Sequence, residues 1–268
     1  MRLSGWFLAC HPGPCAVIAL GAGLLGVAAG LPPSRVALVA AAVLAGQLSI
    51  GWSNDWFDAP RDTAAGRTDK PVASGAVPVR AVAVSALVAA GLTVGLSLWL
   101  GLLPGLLHLV AVAAGWLYNW PLKATMASVL AYLVGFGLLP GFVVTAGGGT
   151  PPWWLLTGGA LLGAGAHFAN VLSDLAEDLS TGVRGLPHLV GAAASRVIAV
   201  ALLLATGAVL VFGPGRPVGW GGWLVVAGSA VALVGAVLAR RRYGERLLFR
   251  VVLAVALVDV ALLLTSPL

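Results

Sequence analysis

The chain has 268 residues, of which 60% are hydrophobic and only 9% charged. A soluble domain carries roughly 25% charged residues, so a water-soluble fold is excluded by composition alone. The net charge of +6 does not point to nucleic acid, because the basic residues flank hydrophobic stretches and form no separate basic face.

In chain order, the segment before Cys10 is too short for a signal-peptide core, so no cleaved leader or lipoprotein site is expected. Cys10 and Cys15 flank His11-Pro12-Gly13-Pro14 and are read as free thiols, since a metal site needs more ligands nearby. Nine membrane-spanning helices are then predicted, at 15–31, 36–53, 81–103, 106–118, 125–146, 153–173, 197–212, 220–238 and 247–264. Most have the roughly 17–25 residues that cross a bilayer. The fourth is short, with Pro104 as an alternative start. Turns at Leu103-Pro104-Gly105, Gly147-Gly148-Gly149 and Gly213-Pro214-Gly215 separate neighbouring spans. The fold class read from this pattern is an all-α, polytopic membrane bundle, a single domain over 1–268.

Charge orients the bundle. With nine spans and the N-terminus inside, thirteen of the fifteen cations fall on the cytoplasmic side; only Arg35 and Arg216 fall outside. That asymmetry is the one expected of a cell-membrane protein. Arg greatly outnumbers Lys, and Ala, Val, Leu and Gly dominate, a composition suggesting a GC-rich bacterial genome.

Two polar clusters interrupt the apolar pattern and share the spacing Asn-x3-Asp-x3-Asp-x3-Gly, each with a nearby Arg: Asn54, Asp58, Asp62, Gly66 and Arg67 in the first, Asn170, Asp174, Asp178, Gly182 and Arg184 in the second. With Asp55, Asp69 and Glu177 they hold seven of the nine acidic residues. Both lie in the predicted inside loops, 54–80 and 174–196. Residues at i, i+4 and i+8 share a helix face, although Pro60 is expected to kink or end the first helix. Crowded carboxylates repel unless a cation joins them, and oxygen-only ligands suit Mg²⁺ with a diphosphate as the bridging ligand. Arg67, Lys70, Lys123 and Arg184 lie on the same side and can neutralise phosphate charge.

The residues resemble the UbiA superfamily of intramembrane prenyltransferases over nearly the whole chain. Asn54-Asp55-x2-Asp58-x3-Asp62 is similar to that family's first motif and Asp174-x3-Asp178 to its second. Asp69-Lys70-Pro71-Val72-Ala73-Ser74-Gly75 resembles the loop segment after the first motif, and Tyr118-Asn119-Trp120-Pro121-Leu122-Lys123 the segment after the fourth helix. The resemblance implies a UbiA-like bundle that binds a prenyl diphosphate through Mg²⁺, ionises its C–O bond and transfers the prenyl group to an aromatic or other small lipophilic acceptor, releasing pyrophosphate. It implies Mg²⁺ ligands at Asp58, Asp62, Asp174 and Asp178, supporting contacts from Asn54, Asp55 and Asn170, and diphosphate contacts from Arg67, Lys70, Lys123 and Arg184. Trp52, Trp56, Phe57, Tyr118 and Phe168 lie near the cluster ends as candidate walls for a carbocation.

Other polar residues are weighed separately. Asp259 lies inside the last span, where an acid is costly and is a functional candidate by default. His108 and His167 are read as interhelical hydrogen-bonding groups. His188 is expected in the second loop, solvent-exposed or lining an acceptor entrance. The competing activities are a terpene cyclase of the same fold, which needs no external acceptor, and a cation-coupled transporter, whose site would sit nearer the bilayer midplane. The partners are therefore a prenyl diphosphate, a small acceptor and the lipid bilayer, with no nucleic acid; acceptor identity, donor length and oligomeric state are not set by the sequence.

Overall fold

The computed structural model describes residues 3–180, 182–243 and 245–265, with their side chains except at 3, 173, 174, 176, 177, 179, 180, 240–243, 245–249 and 253. Among the described residues the chain is all-helical, without strands. The elements are α1 (Leu3–Leu8), α2 (Pro12–Ala28), α3 (Pro33–Ala64), α4 (Val79–Trp99), α5 (Leu102–Asn119), a 3-10 turn (Leu122–Ala124), α6 (Ser128–Ala146), α7 (Trp153–Ser180), α8 (Leu186–Phe212), α9 (Trp220–Tyr243) and α10 (Glu245–Thr265). Proline in the first turn starts α2, α3 and α8, where its missing N–H costs nothing. Gly101, at φ 125, supplies the left-handed residue that turns α4 into α5.

Seven described helices, α3 to α9, are long and apolar enough to cross a membrane, and α2, with 17 residues, is shorter. The expected first and last spans fall on α2 and on α10, which has 21 residues. Large apolar side chains stay exposed along outward faces: Val17, Leu20, Leu24 and Val27 form one stripe of α2, each 56–66% exposed. Such a stripe on a helix otherwise packed into the bundle is the face a lipid would cover.

Two expectations are corrected. The acidic clusters lie on helices and not in loops. At ~1.5 Å per residue, the 32 residues of α3 span roughly 48 Å and the 28 of α7 roughly 42 Å. Both exceed the ~30 Å hydrocarbon core, so the last turns of each can carry charges while the helix continues. Pro60 does not end α3, which runs on to Ala64; the hydrogen bond it forfeits is one near a helix end, where few remain to be made. The second expected loop is also mostly helix, since α8 begins at Leu186 and only bends at Gly191 (φ 82).

Neighbours in sequence pack side by side, and α10 returns against α2, α7, α8 and α9. One core joins Leu25, Val39, Val43, Phe142, Leu155 and Leu210. A second joins Ala9, Cys10, Trp52, Val77 and Val82, fixing the N-terminal segment and the 70–77 turn onto α3. Lipid is as apolar as Leu, so packing in a membrane depends on close contact through small residues. Gly51 is such a contact: a Cβ there would collide with the backbone carbonyl of Cys10.

Gly51→Ala is therefore expected to destabilise the protein by about 1–3 kcal/mol, whereas Gly21→Ala, whose Cβ would meet nothing within 4 Å, is expected to be neutral or slightly stabilising. Thermal unfolding of both variants in detergent checks this; equal melting temperatures would show that the N-terminal segment does not press on α3.

Candidate active site

Asp55, Asp58 and Asp62 stand at i, i+3 and i+7 on α3, one face of the helix, and are only 2%, 6% and 3% exposed. Removing a carboxylate from water costs several kcal/mol unless a counter-charge comes with it, and each has one. Lys123 Nζ donates to Asp58 Oδ1. Arg61 Nη2 lies 3.1 Å from Asp58 Oδ2 and 3.3 Å from Asp62 Oδ1, so one guanidinium bridges the two acids. Burial pushes the Lys123 ammonium pKa down, partly opposed by Asp58. Asp55 has different partners: Lys70 Nζ donates to its Oδ1 at 2.9 Å, and His11 Nε2 lies 3.2 Å from the same oxygen. Its Oδ2 is buried without a hydrogen-bond partner.

A second layer sets these positions. Asn119, the last residue of α5, donates to the Ile50 carbonyl and to Ser53 Oγ, both at 2.8 Å, and accepts from Asn54 Nδ2 at 3.2 Å. It ties α5 to α3 immediately before the turn that carries Lys123. On α7, Asp178 Oδ2 lies 3.3 Å from His188 Nε2. His188 Nδ1 accepts the Gly185 N–H at 3.1 Å, which leaves the neutral ring's proton on Nε2, a buried nitrogen that makes no hydrogen bond among the described residues. The His188 side chain is 2% exposed and stands at the start of α8, so of the two expectations for it, solvent exposure in a loop is corrected.

The remaining candidates are distributed as follows. Arg67 forms a two-pronged pair with Asp69 at 2.8 and 2.7 Å on the exposed side, and holds that carboxyl below the usual range, at about 2. Asn170 is exposed and engaged with neighbours, and Arg184 is exposed. Asp174 lies on α7, with its side chain outside the described residues. Of the five aromatic candidates, Trp52 packs on Trp6 and donates to its carbonyl at 3.2 Å, and Trp56 and Phe57 stack on each other. Tyr118 and Phe168 instead join the rings about His167. Sequence reasoning missed Arg61, His11 and Asn119. Arg61 was readable from its i+3 spacing to Asp58; nothing local marked His11.

Among the described residues no three His, Cys, Asp or Glu side chains are grouped closely enough to hold a metal ion by themselves. The donors that are described nevertheless fit Mg²⁺: Asp58, Asp62 and Asp178 offer only hard oxygens, and Mg²⁺ commonly takes one or two carboxylates with the rest of its shell from phosphate and water. The buried Asp55 Oδ2 is a further oxygen with coordination capacity to spare.

The model of the UbiA prenyltransferase family matches residues 15–258. No curated protein matches the chain significantly by sequence. Among solved structures, a UbiA homologue from Archaeoglobus fulgidus bound to GPP and Mg²⁺ is similar with a TM-score of 0.74 at 14% identity, covering 98% of this chain and 99% of that one. The same archaeal homologue bound to DMAPP and Mg²⁺ gives 0.73 at 16% identity, covering 98% and 99%. A digeranylgeranylglyceryl phosphate synthase structure gives 0.76 at 16% identity, covering 99% and 98%. These likenesses establish a shared fold.

Asn119→Ala removes the three bonds that tie α5 to α3, and is expected to cost about 1–3 kcal/mol of stability, read as a lower melting temperature in detergent. An unchanged melting temperature would show that Asn119 does not fix the approach of the Lys123 turn.

Proposed function

The chain belongs to the UbiA prenyltransferase family, and on that premise we propose that it transfers a prenyl group from a prenyl diphosphate to an aromatic or other small lipophilic acceptor, with Mg²⁺, at the cytoplasmic face of a cell membrane. In this reading α2 to α10 form nine spans of one domain, N-terminus inside, because that arrangement keeps nearly all Arg and Lys on one side. The observation that carries the reading is the buried pairing of Asp58 and Asp62 with Arg61 and Lys123. Charges of both signs packed at a helix end suit a ligand that is itself anionic and arrives with a cation.

Asp58, Asp62, Asp174 and Asp178 would hold Mg²⁺, with Asn54, Asp55 and Asn170 in support. When bound, the ion supplies charge stabilisation to the departing pyrophosphate. The basic residues do the rest of that work: Arg61 and Lys123 exchange their carboxylate partners for phosphate oxygens, and Arg67, Lys70 and Arg184 are the further cations within the same pair of segments. Lys70 rests on Asp55 and Arg67 on Asp69, so each is already held by an acid and is released only when a stronger anion competes. The apolar bundle excludes water from the allylic cation, with Tyr118 and Phe168 as the aromatic wall. The homologue solved with GPP and with DMAPP, each with Mg²⁺, supports a prenyl diphosphate as donor.

In purified protein, pyrophosphate release from geranyl, farnesyl or geranylgeranyl diphosphate is expected to require Mg²⁺ and an added acceptor. Asp58→Ala and Lys123→Ala are each expected to lower turnover by at least ~100-fold. Full Mg²⁺-dependent turnover in Asp58→Ala would overturn the site assignment, and release without any acceptor would indicate cyclisation instead of transfer.

A further inference from the structure

His167 on α7 is a buried polar group that the chemistry above does not use. It is 1% exposed and precedes Asn170 and Asp174 by three and seven residues, on one face of the helix that bears the second motif. Rings of Tyr118, Tyr132 and Phe168 surround it, with centroids 5.6, 4.8 and 5.7 Å away. Tyr118 precedes Asn119, which bonds Asn54 of the first motif, and His167 shares Ser128 with Leu186, two residues before His188 at the start of α8. The ring cluster therefore adjoins both motifs.

The hydrogen bonds fix which nitrogen of His167 is free. Ser128 Oγ is fully buried, accepts the Leu186 N–H at 3.1 Å and lies 3.0 Å from His167 Nε2. A buried hydroxyl needs an acceptor for its own proton, and among the described residues Nε2 is the one within reach. With Nε2 accepting from Ser128, a neutral imidazole carries its proton on Nδ1. That Nδ1 is buried and has no partner among the described residues. Packing alone would be served by any flat ring; an oriented, unanswered N–H among aromatic faces is a recognition group.

We propose that His167 is a specificity-determining residue for the acceptor: its Nδ1–H donates to a phenolic or quinol oxygen of an aromatic ring held against Tyr118 and Tyr132. The proposal rests on the transferase reading above and narrows it to acceptors that carry both a ring and an oxygen.

The two amide replacements of histidine separate recognition from support, because a Gln amide reaches the Nε2 position and an Asn amide the Nδ1 position. Initial rates are measured with geranylgeranyl diphosphate, Mg²⁺ and, in turn, 4-hydroxybenzoate and 1,4-dihydroxy-2-naphthoate, alongside melting temperatures in detergent. His167→Gln is expected to melt near wild type and keep the donor KM, while the acceptor KM rises about 10-fold or more, the loss of one hydrogen bond. His167→Asn is expected to melt lower, having lost Ser128, yet keep the acceptor KM near wild type. A wild-type acceptor KM in His167→Gln, or donor and acceptor KM rising together in both variants, would overturn the proposal while leaving the transferase reading intact. Wild-type release that depends on neither phenol would overturn it as well. That failure appears before any variant is compared: cyclised product there removes the transferase reading too, whereas transfer to a ring-free acceptor removes only the role of His167.

Discussion

Asp58 and Asp62 are buried carboxylates, and the fold around them supplies each with a cationic partner. A buried charge without a partner is worth several kcal/mol of instability, which a membrane bundle held by close contacts has little margin to absorb. Arg61 answers both acids from the same helix, at i+3 from one and adjacent to the other. Lys123 answers from a different helix pair, so the site is complete only when α3 and the α5–α6 connection are docked. The arrangement is self-neutralising without a ligand, and in the proposed reading a diphosphate with its cation would substitute one set of partners for another instead of creating charge where there was none.

This constraint explains the helix lengths. A helix that only crossed the bilayer would end where the hydrocarbon does, and its last carbonyls would need capping there. By continuing for several turns, α3 and α7 keep their backbone hydrogen bonds internal and still present side chains beyond the apolar layer. The aspartates then stand on a rigid rod whose orientation is set by packing, with Trp52 and Ala59 buried in the second core on the same helix. A flexible loop carrying the same residues would have to be ordered each time substrate arrived.

The sequence made the apolar spans and the gathering of acids plain, because both are matters of composition over a window. It also named Asp58 and Lys123, which the structure brings into contact across 65 positions of chain. Hydropathy did not reveal that the acidic turns remain helical, since a charged helical extension and a charged loop have the same composition; only the shared face of Asn54, Asp58 and Asp62 hinted at it. Pro60 reinforced the wrong boundary. The pairing of His11 with Asp55, 44 residues apart, depends on the N-terminal segment crossing α3 at Gly51, and no local pattern encodes that crossing. His188 looked like a loop residue because Gly182 and Gly185 surround the start of α8, whereas its Nδ1 in fact accepts the Gly185 N–H that begins that helix.

Asn119 shows the same device working through neutral groups. Its amide has two donor hydrogens and an acceptor oxygen, and all three are used within α3, at Ile50, Ser53 and Asn54. Four residues later the chain has passed through Trp120 and Pro121 and delivers Lys123 to Asp58, one turn beyond Asn54 on the same helix. The segment between the two anchors is too short to wander, so fixing Asn119 fixes the reach of Lys123. Ser128 repeats the logic at the start of α6, taking the Leu186 N–H of α8 and meeting His167 of α7. Neutral hydrogen bonds thus hold the helix ends in register on both sides of the acids, and under the proposed function the charged residues would need only the small displacements of exchanging a carboxylate for a phosphate.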